Sequence, residues 1–210
     1  MPALLLTKWQ ENQIYTRSLW IILLIVPWLS GCGVNNIPTY DEQVKATWAQ
    51  VENQYQRRAD LVPNLVATVK AYAAHEKGTL TAVTQARAKV GSIQVDQDIL
   101  DNPQKLEQFQ AAQSELGSAL QRLMVVVERY PDLKANQNFL ALQSQLEGTE
   151  NRISVARRDF ILGVGKYNTE IRTFPGLIWH KILYNDMPLR DTYDATSKDA
   201  EQAPMVNFNE

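Results

Sequence analysis

From Asp132 to Phe174, apolar or small residues recur at three-four spacing: Phe139, Leu142, Leu146, Thr149, Ile153, Ala156, Phe160, Gly163 and Tyr167. Ile171 and Phe174 then take over one step late, the slip that a helix of 3.6 residues per turn shows against a strict heptad. No proline interrupts the run before Phe174. The pattern predicts one helix of roughly 40 residues, about 60 Å at 1.5 Å rise per residue. A helix that long with a single apolar stripe has to be covered by other helices. That demand points to an all-α bundle.

The preceding residues supply the covering helices. Residues 33–39 read as a short linker, and Thr39 with Glu42 three residues on reads as a capping box. A first helix is predicted to about Arg58, with Tyr40, Val44, Trp48, Val51 and Tyr55 on one face. Asp60 reads as the N-cap of a second helix, with Pro63 in its first turn, where the missing N–H costs little. That helix continues through Leu65, Val69, Tyr72, Leu80, Val83 and Val90 to Gly91. The apolar spacing also runs straight through Pro63, so it fits one kinked helix equally well. An unbroken helix, however, would extend about 75 Å, and its first third would project uncovered. A turn at Asp60 is therefore expected.

Asn102 and Pro103 form a cap followed by proline at the first helical position. The third helix carries the cleanest heptad: Leu106, Phe109, Gln113, Leu116, Leu120, Leu123, Val127 and Tyr130, with Gln113 its one polar member. Pro131 stops it and Asp132 caps the fourth helix. So tight a turn makes those two helices antiparallel neighbours. The expected architecture is an antiparallel up-down-up-down four-helix bundle over residues 40–175. Its tip holds the turns near Asp60 and Pro131, and a partly irregular C-terminal arm covers residues 176–210.

Ahead of the bundle, Lys8 and Arg17 precede an apolar run, Leu19 to Leu29, which ends in Leu29-Ser30-Gly31-Cys32. This is a secretory signal pattern. Its last four residues resemble the lipobox of bacterial lipoproteins, which implies cleavage before Cys32 and lipid attachment to its thiol. An uncleaved membrane span stands beside that reading, although the run falls short of the roughly 20 apolar residues a span needs and contains Pro27. An ordinary buried thiol is the third reading. In the first two the flanking positive charge keeps the N-terminus inside and exports the bulk of the chain, giving an extracytoplasmic (periplasmic) domain at the cell membrane or outer membrane. With one cysteine, no intrachain disulfide can form.

The chain has 21 Lys and Arg against 23 Asp and Glu, which argues against a nucleic-acid partner. A di-metal site in a bundle needs Glu-x-x-His on two helices, and neither His75 nor His180 has a Glu three residues before it. His75-Glu76 begins a His-Glu-x-x-His motif but position 79 is Thr. Gly163-Val164-Gly165 lacks the strand a dinucleotide loop requires. No catalytic residue, metal site or cofactor is expected. Three polar or amphipathic groups stand out instead. Arg57, Arg58, Asp60, Arg129, Asp132 and Lys134 would share the tip, as a turn-locking ion network or a docking patch. His75, Glu115, Glu147 and Glu150 would fall at one level, as a buried network or as surface pairs. Phe174, Trp179 and Lys181 would lie at the membrane end, as an interfacial contact or an arm packed over the bundle's open end. Gly117, Gly148 and Gly163 mark either missing volume or close helix approach.

Several stretches resemble the LemA family of bacterial membrane-anchored proteins. They are Arg57-Arg58-Ala59-Asp60-Leu61-Val62-Pro63-Asn64, Tyr72-Ala73-Ala74-His75-Glu76, Glu128-Arg129-Tyr130-Pro131-Asp132-Leu133, Leu146-Glu147-Gly148-Thr149-Glu150-Asn151-Arg152-Ile153 and Ala156-Arg157-Arg158-Asp159-Phe160. The resemblance implies an exported helical domain behind one membrane anchor, with no established biochemical activity. It suggests a TPM-domain protein or a membrane protease as partner. Leu-Ser-Gly-Cys and Asp159-Phe160-Ile161 depart from the family pattern. The expected function is a membrane-tethered interaction or scaffold protein, with a four-helix ligand-binding or sensor module as the alternative.

Overall fold

The computed structural model describes residues 33–93 and 97–193, and among them there are helices but no strand. The α-helices are α1 (Asn36–Tyr72), α2 (Lys77–Ser92), α3 (Pro103–Val127), α4 (Pro131–Lys134), α5 (Gln137–Arg172) and α6 (Gly176–Leu183). A 3-10 turn, Gln97–Leu100, leads into α3. The signal-like run and Cys32 lie outside the described residues. Among those described, no helix is long and apolar enough to cross a membrane.

Cross-helix pairs fix the topology. Asn36 with Glu170, Arg58 with Glu150 and Tyr72 with Asn136 align α1 antiparallel to α5. Lys89 with Glu115 and Arg129 with Glu76 do the same for α2 and α3. The four long helices run up-down-up-down, as the apolar seams require.

The expected turn at Asp60 is absent. α1 passes through Pro63 and ends at Tyr72, 37 residues on, about 55 Å. Proline inside a helix leaves the carbonyl four residues back without its donor. Here that carbonyl belongs to Ala59, and Arg87 Nε of α2 donates to it at 3.0 Å. The chain turns instead at Ala73–Glu76. None of those residues breaks a helix strongly. The turn is held from outside, by Arg129 Nη2 and the Tyr130 hydroxyl donating to the Glu76 carboxylate at 2.9 and 3.1 Å. No third of α1 projects, because α5 runs 36 residues alongside it.

Two further boundaries move. α1 begins at Asn36 with Ile37 fully buried, so 33–39 is not a linker. Thr39 lies inside the helix, its hydroxyl donating to the Asn35 carbonyl. At the other turn Asp132 sits in the short α4, and the long helix starts after Asn136, whose side chain accepts from the Phe139 N–H at 3.0 Å.

The core has two parts. Toward the tip, α1, α2, α3 and α5 enclose aliphatic side chains, among them Val62, Leu65, Val69, Leu80, Val83, Leu116, Leu123 and Leu146, with Phe139 at the end. Toward the base, α2 has ended. There Trp48, Tyr55, Phe109, Phe160 and Tyr167 fill the space together with Tyr193 of the C-terminal arm. Trp48 meets Phe109 edge-on at 5.6 Å and Phe160 at 5.3 Å between ring centres. Gly163 lets α5 approach α1 closely, since a Cβ there would lie 3.3 Å from Thr47 Oγ1.

The arm after α6 is irregular yet firmly placed. Tyr167 donates its hydroxyl to the Pro188 carbonyl at 2.9 Å, and the Asn168 amide brackets the backbone of Arg190. Arg190 is buried and donates through Nε and Nη2 to Asp41 at 3.2 and 2.7 Å, with Asp101 also paired to it.

Candidate functional site

Between the two cores lies a polar layer. Arg58 follows Tyr55 of the basal core by three residues and precedes Val62 of the distal core by four. The helical repeat therefore carries Arg58 inward on the same stripe. Arg58 is 4% exposed. Nη2 donates to the Gln113 side chain and carbonyl at 2.5 and 3.0 Å, and Nη1 to Glu150 at 2.8 Å. The layer thus joins α1, α3 and α5. Its Nε is buried without a partner among the described residues.

A cleft of about 260 Å³ opens over this layer between α3 and α5. Gln110, Ser114, Ser118 and Gln121 line one wall, Glu150, Ser154 and Arg157 the other, with Arg58, Tyr55 and Tyr193 at the floor. Arg157 stacks over the Tyr193 ring at 4.3 Å. Gly117 belongs to this wall, its Cβ direction pointing at Arg58. Burial pushes the Tyr55 and Tyr193 phenols above their ordinary range, so both are neutral donors at any physiological pH. The cleft can accept a small polar ligand by hydrogen bonds.

The six residues expected at the tip are not brought together. Arg129, Asp132 and Lys134 do stand there, with Lys134 paired to Glu128. Arg58 is in the polar layer, 14 residues before the end of α1, about 21 Å away. Arg57 and Asp60 are exposed on that same stretch of α1, where Asp60 accepts from Gln56 at 2.8 Å. The level set of His75, Glu115, Glu147 and Glu150 does not form either. His75 is in the tip turn and exposed. Glu115 pairs with Lys89 on the surface, Glu147 accepts from Gln143, and only Glu150 reaches the buried layer. Both corrections have one cause. A turn at Asp60 would set those levels, and the turn lies about 14 residues later.

At the base, Phe174 is 80% exposed and Lys181 is exposed, whereas Trp179 packs against the basal core. α6 can leave α5 so abruptly because residue 176 is glycine; a Cβ there would overlap the Glu170 carbonyl. Sequence reasoning missed the buried Arg190–Asp41 pair altogether. It had a usable signal for the Arg58 layer, since Gln113 is the single polar residue in an apolar seam. Among the described residues no three His, Cys, Asp or Glu side chains are grouped to hold a metal ion.

Comparison with known proteins gives a consistent result. The chain is 24% identical over 140 residues to Protein LemA of Metamycoplasma hominis, covering 67% of this chain and 60% of that one. It is 27% identical over 158 residues to Magnetosome protein MamQ 2 of Paramagnetospirillum magneticum, and 26% to Magnetosome protein MamQ of Magnetospirillum gryphiswaldense, covering 67% of this chain and 58% of each relative. The chain thus spans about three fifths of the length of these relatives. The description of the LemA family matches residues 47–208, from the basal half of α1 to beyond the clamped arm. This chain belongs to the LemA family.

Proposed function

We propose that this protein is an exported, membrane-tethered helical interaction domain, a scaffold for other proteins of the cell envelope, and not a catalyst. The observation that carries the reading is the contrast between its two ends. The base, where the chain enters α1 after an apolar segment, exposes Phe174, Ile178 and Ile182. The tip, about 55 Å away along α1, presents Arg129, Asp132, Lys134, His75 and Glu76. A rod with an apolar helix face at one end and an ion-paired turn at the other suits a protein held at a surface and read from its far end. A TPM-domain protein or a membrane protease is the partner class that the family resemblance suggests. Crosslinking through Lys134 in intact cells, followed by purification of the full chain, is expected to recover a discrete envelope protein. Arg129→Ala with Lys134→Ala is expected to lose it. Recovery of lipid alone would overturn the scaffold reading.

The cleft over Arg58 favours a second reading, a ligand-binding or sensor module. A polar cleft of about 260 Å³ lined by two guanidiniums, Arg58 at its floor and Arg157 on a wall, suits a small molecule bearing a carboxylate or several hydroxyls. Thermal-shift screening of the full chain against small organic acids and sugars tests it. A shift abolished by Ser114→Leu with Ser154→Leu, on the cleft walls, would support the module. No shift with any member would leave the scaffold alone.

A further inference from the structure

We infer that the exposed apolar face of α6 docks on the phospholipid surface to which the N-terminal segment tethers the chain, so that the protein meets the bilayer at two places. The inference rests on the tethered reading above and adds a contact to it. Phe174 is 80% exposed, Ile182 66%, and Leu177, Ile178 and Leu183 are all exposed beside them. The opposite side of the helix is already used, with Trp179 in the basal core and His180 bonded to the Met187 carbonyl at 2.9 Å. A short helix with one packed face and one apolar, water-facing face has the form of an interfacial element. Lys181 stands on the exposed side and Arg172 just before the turn, both exposed, with aliphatic stems that can lie along lipid and charges that suit anionic headgroups.

Where the chain enters the bundle selects lipid over other occupants. Gly33 adjoins the turn into α6: a Cβ on it would lie 3.7 Å from Pro175 and 3.6 Å from Glu170. Cys32 is its immediate neighbour, and Leu29, the end of the apolar run, is four residues back. Four residues span at most about 14 Å. Whether lipid on Cys32 or the run itself enters the membrane, the start of α6 is held within about 18 Å of the attachment point. Four aliphatic side chains and a phenylalanine held there bury apolar area in the acyl boundary, whereas in water they stay hydrated.

The test uses the full chain purified from membranes and reconstituted into phosphatidylethanolamine–phosphatidylglycerol vesicles that carry a diazirine-tailed phospholipid. Flotation with the vesicles reads the tether, and photoadducts on residues 174–183 read the α6 contact. Flotation with adducts there is expected. The double variant Ile178→Asp, Ile182→Asp, both at exposed positions, is expected to float normally, to keep its helical circular dichroism and to lose those adducts at least tenfold. Flotation without α6 adducts would overturn the inference and leave the tether standing. Failure to float would remove both. Crosslinks joining α6 of two copies, or joining α6 to residues 19–29, in place of lipid adducts would also overturn it, since another occupant would then cover the face.

Discussion

The two halves of the bundle solve one packing problem differently. In the distal half four helices close on each other, and the core is thin and aliphatic: Val, Leu and Ala from every side. In the basal half α2 has run out after 16 residues, leaving the long α1 and α5 with a quarter of their surround missing. The chain fills the gap with large rings and with its own returning arm, which delivers Tyr193 onto Trp48 and Phe160 at 6.3 and 5.8 Å. Aliphatic seams are enough where helices come in fours. Where they do not, aromatic volume and a non-helical segment take the place of the missing helix. The Arg58–Gln113–Glu150 layer marks the border between the two regimes.

The largest expected effect breaks that contrast directly. Phe160→Ala removes a fully buried ring at the base and should cost about 4 kcal/mol. Leu116→Ala, equally buried in the distal core, should cost about 3 kcal/mol. Urea melts measure both. Hydrogen exchange separates them, because only Phe160→Ala should loosen residues 184–193. Equal loosening of the arm by both variants would mean the two cores are one cooperative unit.

Next comes the border. Arg58→Met leaves the Gln113 side-chain oxygen without its donor in a site where Gln113 is 4% exposed, and should cost about 2–3 kcal/mol in urea unfolding. Glu150 is half exposed and can return to water. Adding Gln113→Leu should recover much of the loss, since an apolar pair leaves no buried polar side chain unpaired. Recovery would assign the layer to fixing helix register. Absence of recovery would show that the guanidinium also supports the cleft.

The clamp on the arm sharpens the basal side further. Asp41 is 3% exposed. Burial pushes its carboxyl up, but hydrogen bonds and charge from Lys45 and Arg190 outweigh that and hold it below the ordinary carboxylate range. A carboxylate with a depressed folded value adds stability above its unfolded value of about 4, and that stability is lost as pH falls through the folded value. Arg190→Met should cost about 2 kcal/mol at neutral pH and flatten the acid limb below about pH 4. Guanidinium melts at several pH values read both effects. A variant with the same acid limb as the parent would mean that Asp41 is held by Lys45 alone.

How far the sequence could carry these features follows from where their causes lie. The seams on α3 and α5 were readable because each helix is amphipathic on its own, and Asn102-Pro103 announces its cap locally. Residues 33–39 read as a linker because Asn35, Asn36 and Pro38 suggest a loop, yet Ile37 is drawn into the core by elements far along the chain. The arm's burial depends on Asp41 meeting Arg190 across 149 residues, for which no periodicity exists. Arg58 shows in the sequence as a charge, but its depth depends on where the chain turns, and the turn lies beyond Tyr72. The turn itself depends on Glu76 finding Arg129 and Tyr130, a tertiary cause without a local sign.

The smallest expected effect tests why α1 is continuous, the feature on which the whole two-part core depends. Local rules favour a break at Pro63, because proline inside a helix costs about 3 kcal/mol relative to alanine. Part of that cost is the unpaired Ala59 carbonyl, and Arg87 Nε supplies a donor to it from α2. Arg87→Met should therefore destabilise the protein by about 1 kcal/mol. In a Pro63→Ala background the helix provides its own N–H to Ala59, and the same Arg87→Met change should then cost clearly less. The double-mutant cycle isolates this coupling from everything else the two side chains do. A coupling near zero would mean that α5, packed along the whole of α1, carries the helix past Pro63 unaided, and that α2 only follows a course set on the opposite face.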